Sequence, residues 1–408
     1  MSYDFTTRIN RQPQNSSKWQ GMRKHNPEVP EGIVPLSVAD MELKNPPEII
    51  EGLKQFLDNR ILGYTDAGED YYTETVNWMQ RRHHWTIDKD WLVLLPGVVT
   101  AINVAVRAFV QPREKVAILT PVYYPFKKTI EACGCRTVTS SLINQDGVYS
   151  INFEDLETKL ADPNVKMLIF CSPHNPTGRV WEQWEIEKAM KIYKKHDVYV
   201  VSDEIWSDLL LNGHKHTPTQ SVSEDAKQRT VALYAPSKTF NLAGLIGSYH
   251  IIYNDWLRER ILKESSLSHY NSMNLLSMYA LIGAYKPEGY EWVDELKEVL
   301  SGNVNYACDY IEKHFDGVNV SRPEGTYMLF LDCTEWCKKH GRTITELQAA
   351  GIEVGVIWQD GVAFHGPCHI RMNLALPLSR VKEAFDRLDK YVFNVLSAPR
   401  GHFNPQEG

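Results

Sequence analysis

A lysine amine condenses readily with an aldehyde to form an imine, and Lys238 stands where that chemistry can be arranged. It lies in Ala-Pro-Ser-Lys-Thr-Phe-Asn-Leu-Ala-Gly, residues 235–244, directly after an apolar run. Alone, a lysine at such a place is a surface charge. Its company changes the reading. Asp203 closes a second apolar run, in Val-Ser-Asp-Glu-Ile-Trp, residues 201–206. A carboxylate there could cap a helix. It could equally stand against a protonated ring nitrogen and keep that ring electron-withdrawing.

Three further segments fit the second option. Cys-Ser-Pro-His-Asn-Pro-Thr-Gly-Arg, residues 171–179, follows another apolar run. Its prolines and glycine fix a rigid loop from which Asn175 can aim an amide at a ring hydroxyl. Pro96-Gly97-Val98-Val99 opens an amphipathic stretch. Free amides at a helix start favour a phosphate, and Gly97 lets the backbone come close. Ser237 can add a hydroxyl to the same phosphate. Thr-Pro-Val-Tyr-Tyr-Pro-Phe, residues 120–126, offers an aromatic, Tyr123, to stack on a flat ring. An aldehyde, a ring nitrogen, a ring hydroxyl and a phosphate together describe pyridoxal 5′-phosphate.

The elements that must position these groups are short apolar runs alternating with amphipathic ones. Strand candidates are 91–95, 115–119, 166–171, 198–202 and 230–235, each rich in Val, Ile, Leu or Tyr and bounded by breakers. Near-continuous apolarity predicts strands buried on both faces. Between them, Val98, Ile102, Ala105, Val106 and Phe109, and again Ile186, Ala189, Met190 and Tyr193, repeat at helical spacing. The pattern predicts an α/β fold with a mostly parallel central sheet and helices on both faces. Ligands of such sheets sit at the carboxyl ends of the strands, where the residues above fall. From about residue 291 the texture changes to a long helix, short strands at 327–332 and 369–374, and a last helix. The expected division is an N-terminal arm (1–45, its first 35 residues extended), a large cofactor-binding domain (46–290) and a small α+β domain (291–408).

The strings carry a resemblance. Ser-Pro-His-Asn-Pro-Thr-Gly, Ser-Asp-Glu-Ile and Ser237-Lys238 occur in the order and spacing of the fold-type I pyridoxal-phosphate enzymes of the class I/II aminotransferase superfamily. More narrowly, the chain resembles the MalY/PatB-like cystathionine β-lyase (C–S lyase) branch. Val-Ala-Asp-Met (38–41), Gly-Tyr-Thr (63–65), Ser-Lys-Thr-Phe-Asn-Leu-Ala-Gly-Leu (237–245) and Arg-Met-Asn-Leu-Ala (371–375) carry that likeness. It runs from about residue 19 to 396.

The resemblance implies a role for each matching position. Lys238 is the Schiff-base lysine, Asp203 the partner of the ring nitrogen, Asn175 the partner of the ring hydroxyl, and Tyr123 the stacking aromatic. Gly97, Val98, Val99 and Ser237 hold the phosphate. Tyr64 reaches the phosphate of a neighbouring subunit, which implies a homodimer. Arg371 clamps the α-carboxylate of an amino-acid substrate. Three positions depart from the usual pattern. Trp206 stands where aminotransferases have Tyr and the lyase branch often has His. Ala235 replaces a common serine, and Ile246 replaces a phosphate-binding Arg. The last loss also occurs in the lyase branch. The expected activity is therefore α,β-elimination of L-cystathionine or a related cysteine S-conjugate to pyruvate, ammonia and a thiol. Transamination is the alternative, and a cofactor-binding regulatory role a minor one.

Composition excludes other classes. Lys and Arg number 44 against 51 Asp and Glu, a net charge of −7, with no basic block to grip nucleic acid or anionic lipid. Residues 93–110 are the most apolar window, yet Pro96, Gly97, Asn103 and Arg107 interrupt them, so no membrane span is expected. No secretory signal opens the chain, and seven cysteines show neither zinc nor redox spacing. Reduced thiols in a cytoplasmic protein are expected. His83-His84 and His214-x-His216 read as isolated surface histidines, and no metal is expected.

Overall fold

The computed structural model describes residues 2–27, 32–268 and 271–394. Seven strands form its main sheet: β1 (Leu92–Leu95), β2 (Lys115–Thr120), β3 (Arg136–Ser141), β4 (Val165–Cys171), β5 (Tyr199–Asp203), β6 (Thr230–Tyr234) and β7 (Ser248–Ile251). Their spatial order is β1-β7-β6-β5-β4-β2-β3. Only β7 runs antiparallel to its neighbours β1 and β6. The α/β architecture read from the alternation is the architecture found.

Period-two alternation explains why the sheet needs helices on both sides. Along β2, Val116 and Ile118 enter one core while Ala117 and Leu119 enter another. Along β4, Met167, Ile169 and Cys171 take the first side, and Leu168 and Phe170 the second. The helix Val98–Phe109 covers the first face and Gln183–Lys195 the second. Each buried Ile, Leu or Phe contributes about 1.5–3 kcal/mol. Many such contributions hold the strand ends in fixed register, with Cys171 opposite Asp203 and Asp203 opposite Leu233.

A second sheet joins β8 (Asn319–Val320), β9 (Met328–Asp332), β10 (Gln359–Asp360) and β11 (His369–Asn373) in the order β8-β9-β11-β10. It is antiparallel throughout. The helix Pro287–His314 leads into it and Leu378–Leu388 follows it. The beginning of the chain returns to this region, where Val34–Pro35 pairs in parallel with Val356–Ile357.

Three features differ from the expectation. The first 35 residues are not simply extended: Ser17–His25 is a helix, turning Lys18, Trp19 and Met22 inward. Prolines at 13 and 27 hide a short helix whose apolar residues are only two. Strand β3 was missed because it is a polar edge, largely exposed. Strand β7 was missed because Ser-Tyr-His-Ile shows no run of β-branched residues. Residues 395–408, part of the expected small domain and frayed tail, lie outside the described residues. Among the described residues no helix is long and apolar enough to cross a membrane.

One glycine ties the two sheets together beside the Asn175 loop. Gly178 has φ +72°, and a Cβ there would stand 2.3 Å from Pro323 Cβ. Its carbonyl accepts from the Glu324 and Gly325 amides at 2.8 and 2.9 Å. Gly178→Ala is expected to destabilise the chain by about 1–3 kcal/mol, read as a lowered urea midpoint. An unchanged midpoint would show that the two loops are free to separate.

Candidate functional site

The carboxyl ends of the parallel strands open into a cavity of ≈ 260 Å³. Each strand end delivers one group to it. Gly97, Val98 and Val99 come after β1, Tyr123 after β2, and Asn175 after β4. Asp203 is the last residue of β5, and Ser237 and Lys238 follow β6 on the helix Pro236–Thr239. Trp206, Ala39 and Ile246 complete the wall. Nine of the eleven sequence-derived site residues are thus gathered here. Arg371 lies one contact further back, and Tyr64 is not brought to the cavity at all.

Asp203 is buried, and among the described residues no Lys, Arg or His lies within ion-pair distance of it. Its Oδ1 accepts the Ile205 amide at 3.2 Å. Burial pushes its carboxyl up to about 7, against the pull of that amide and of Lys238. A cation placed opposite would restore the ionised form.

Lys238 Nζ donates to the Ala39 carbonyl at 2.9 Å and lies 5.6 Å from the centre of the Trp206 ring. Burial first, and then Arg371, lower its amine to about 8. An amine so lowered is a better nucleophile and a usable proton acceptor near neutrality. Trp206 is itself held edge-on against Tyr327, with ring centres 4.8 Å apart. Burial pushes the Tyr123 phenol up to about 12, so it stays a neutral ring in the wall.

At the opposite end, Gly97 has φ +96° and begins the helix Val98–Phe109 without a capping side chain. Its own amide is satisfied by Leu95 O and Ser248 Oγ. The first intrahelical bond is Ala101 N–H to Gly97 O, which leaves the amides of Val98, Val99 and Thr100 to face an anion. Ile246 lies across from them. It is half exposed and left-handed, with φ +51°, an unusual conformation for a β-branched residue. A Cβ on Gly97 would meet Ile246 Cγ2 at 3.3 Å, so the bare glycine is what admits both.

Arg371, on β11, is buried without an acidic partner among the described residues. One terminal nitrogen donates to Asn175 Oδ1 at 2.8 Å and the other to Gln359 Oε1. Phe364 lies 4.4 Å beneath the guanidinium, and Nε has no partner. Burial lowers its pKa to about 10. A carboxylate would complete it.

Charges and shape therefore describe a ligand that would fit: a flat ring with a cationic atom at Asp203, an anionic tail at residues 98–100, and an electrophile at Lys238. A carboxylate-bearing substrate then meets Arg371. Pyridoxal phosphate with an amino acid fits each of these.

Four contributors escaped the sequence reading. The Ala39 carbonyl lay inside a quoted string but had no assigned task. Gln359, Phe364 and Tyr327 give no local signal. The histidine reading also needs correction. His83 is buried, its Nε2 2.9 Å from Asp208, and the His216 ring is buried 2.6 Å from Glu204. Asp208 also accepts from Trp78 and from Thr239, the neighbour of Lys238, while Glu204 accepts from Tyr234, Ser202 and the Thr219 amide. The carboxylates that bury these imidazoles flank Asp203, and the one holding His83 is 125 residues away in sequence. No spacing rule reveals that. All seven cysteines are unpaired, and the described residues hold no metal-ligand cluster of three or more.

With this geometry, the class of protein is defined: the chain belongs to the class I and II aminotransferase family, which it matches over residues 31–388. Within that class it is similar to cystathionine beta-lyase PatB of Bacillus subtilis, with 37% identity over 358 residues, 87% of this chain and 91% of that one. It is 30% identical to protein MalY of Escherichia coli over 361 residues, 86% and 89% of the two chains. Among solved structures, cystalysin from Treponema denticola, which contains a pyridoxal 5′-phosphate cofactor, superposes with a TM-score of 0.92 at 40% identity. That match covers 96% of this chain and 98% of cystalysin.

Asp203 makes stability depend on pH in the cofactor-free protein. Its folded pKa, about 7, lies above the ordinary Asp range. Between those values the folded chain holds a proton that the unfolded chain has lost, so stability falls as pH rises through the window. Asp203→Asn should flatten that slope, measured as melting temperature against pH. Equal slopes for the two proteins would contradict the assignment.

Proposed function

We propose that this chain is a pyridoxal-phosphate-dependent carbon–sulfur β-lyase acting on L-cystathionine or related cysteine S-conjugates. The observation that carries the reading is one buried amine of lowered basicity, Lys238, set between a buried carboxylate and a buried guanidinium that each lack a counter-ion among the described residues. The lyase names of PatB and of other relatives, and Ile246 where aminotransferases place a cation, support elimination over transamination.

Lys238 holds the cofactor covalently. Asp203 keeps the ring nitrogen protonated, Asn175 faces the ring hydroxyl, and Tyr123 and Trp206 wall the ring. The amides of residues 98–100 and the Ser237 hydroxyl receive the phosphate. Bound there, pyridoxal phosphate supplies an electron sink for the charge left at the substrate Cα. Arg371 orients the substrate through its α-carboxylate, a planar fork suited to that task. The freed Lys238 amine takes the Cα proton as general base. Departure of the thiolate from Cβ and uptake of water then give pyruvate, ammonia and the thiol.

Tyr64 is fully exposed beside the exposed Ile61 and Leu62, which supports a homodimer in which it reaches the site of a second copy. A large-domain segment at 46–290 and a small-domain segment at 291–408 remain the division we propose. Unpaired cysteines support a reducing, cytoplasmic setting.

The test is incubation with L-cystathionine in the absence of any keto-acid acceptor, with pyruvate and free thiol as the expected products. Acceptor-dependent amino transfer without pyruvate would make the protein an aminotransferase. Lys238→Ala should lose the visible cofactor band and turnover together. Arg371→Met should lose about 2–5 kcal/mol of transition-state binding, roughly 30- to 4,000-fold in kcat/KM. A loss below threefold would remove Arg371 from the carboxylate-binding role.

A further inference from the structure

We infer that the N-terminal segment sets the resting position and the proton affinity of the Lys238 amine, through a buried charge quartet of Arg11, Lys18, Asp40 and Glu42. This rests on Lys238 being the cofactor amine. Arg11 and Lys18 act as positioning residues, through the loop 38–41.

The quartet is compact. Lys18, on the helix Ser17–His25, has a wholly buried side chain. Its Nζ lies 3.1 Å from Asp40 Oδ1 and 3.4 Å from Glu42 Oε1, and donates to the Asp40 carbonyl at 2.7 Å. Arg11 reaches Asp40 Oδ2 at 3.0 Å and Glu42 Oε1 at 2.9 Å. The Trp19 indole N–H donates to Glu42 Oε2 at 3.3 Å. Lys18 and Glu42 are thus taken out of water, and Arg11 and Asp40 largely so. Hydrophobic packing could fill such a space at least as stably, so fold stability alone does not account for four charges here.

What the quartet holds is the segment beside the amine. Ala39, next to Asp40, offers the carbonyl that accepts Lys238 Nζ, and Tyr327 donates to the same oxygen at 3.1 Å. Asn373 donates to the carbonyls of Val38 and Asp40, both at 2.6 Å. Asn241 accepts the Met41 amide at 2.8 Å and donates to the Met41 carbonyl at 3.1 Å. The carbonyl is therefore fixed from both ends of the chain, and the amine comes to it. Whenever Lys238 is free of the cofactor, Ala39 O is where its proton points.

The quartet also acts by charge. Four charged groups face Lys238 from four elements: Arg371 on β11 and Lys18 on the N-terminal helix oppose its protonation, and Asp40 on the loop and Asp203 on β5 favour it. The Trp206 ring and the neutral phenols of Tyr123 and Tyr327 complete its surroundings. Because Lys18 and Asp40 lie against each other, their effects on the amine oppose one another, with Asp40 the stronger. Removing one of them exposes the other.

This gives a test with a sign. Asp40→Asn should lower the pH midpoint of Lys238, and Lys18→Met should raise it, by about one pH unit each. The double variant should fall between the two single ones. Two readouts apply: the visible band of the cofactor-loaded protein titrated with pH, and the pH dependence of Lys238 acetylation in the cofactor-free protein, followed by peptide mass. If Lys18→Met does not fold, Arg11→Met, at the less buried end of the quartet, must shift the midpoint in the same direction. Shifts of the same sign for Asp40→Asn and Lys18→Met, or altered melting temperatures with an unmoved midpoint, would overturn the inference. A visible band that survives in Lys238→Ala would instead overturn the cofactor assignment, while the acetylation series would still test the quartet.

Discussion

The site is organised by two groups of opposite charge, Asp203 and Arg371, each buried without an ion-pair partner among the described residues. An isolated ion in a protein interior costs several kcal/mol, so both groups push their surroundings toward a ligand that supplies the opposite sign. Their positions divide the occupant in two. Asp203, fixed at the end of β5 by sheet register, calls for a cation in the plane of a ring. Arg371, fixed on β11 by Asn175 and Gln359, calls for a carboxylate. Lys238 lies between, and the same burial that strains the two ions lowers its amine to about 8. One physical cause, removal from water, thus shifts all three groups.

Behind this front lies a second layer of charges that are paired. Asp208 with His83, and Glu204 with His216, stand directly behind the residues that flank Asp203 and Lys238. Each carboxylate there has an imidazole of its own within the protein, so the pairs call for no counter-charge from a ligand. The contrast between the paired layer and the unpaired one is what separates scaffold from site in this cavity.

Much of this was legible in the sequence because each reactive group follows an apolar run. A strand buried on both faces announces itself by composition, and the groups just past its end are then placed by the architecture. Lys238, Asp203, Asn175, Tyr123 and Gly97 were all found that way. Arg371 and Tyr64 were named by resemblance, and only the first lies against the cavity of its own chain. What sequence left hidden depends on contacts between distant segments. The Ala39 carbonyl is a backbone group with no residue signature. Gln359 sits on a strand of two residues. His83 and His216 look like surface imidazoles until Asp208 and Glu204 are brought beside them. The N-terminal helix has too few apolar residues to show a period, because it buries a lysine beside only Trp19 and Met22.

The pinning of loop 38–41 has a consequence for the life of the chain before it is complete. The loop is made well before Asn373, which grips two of its carbonyls from 335 and 333 residues further along the chain. A nascent chain therefore carries Lys238, Asp203 and the helix Val98–Phe109 long before the amine has its fully anchored acceptor. The grip of Asn373 comes only once β11 has been made, and a product truncated before β11 would carry Lys238 beside a loop held from one side alone.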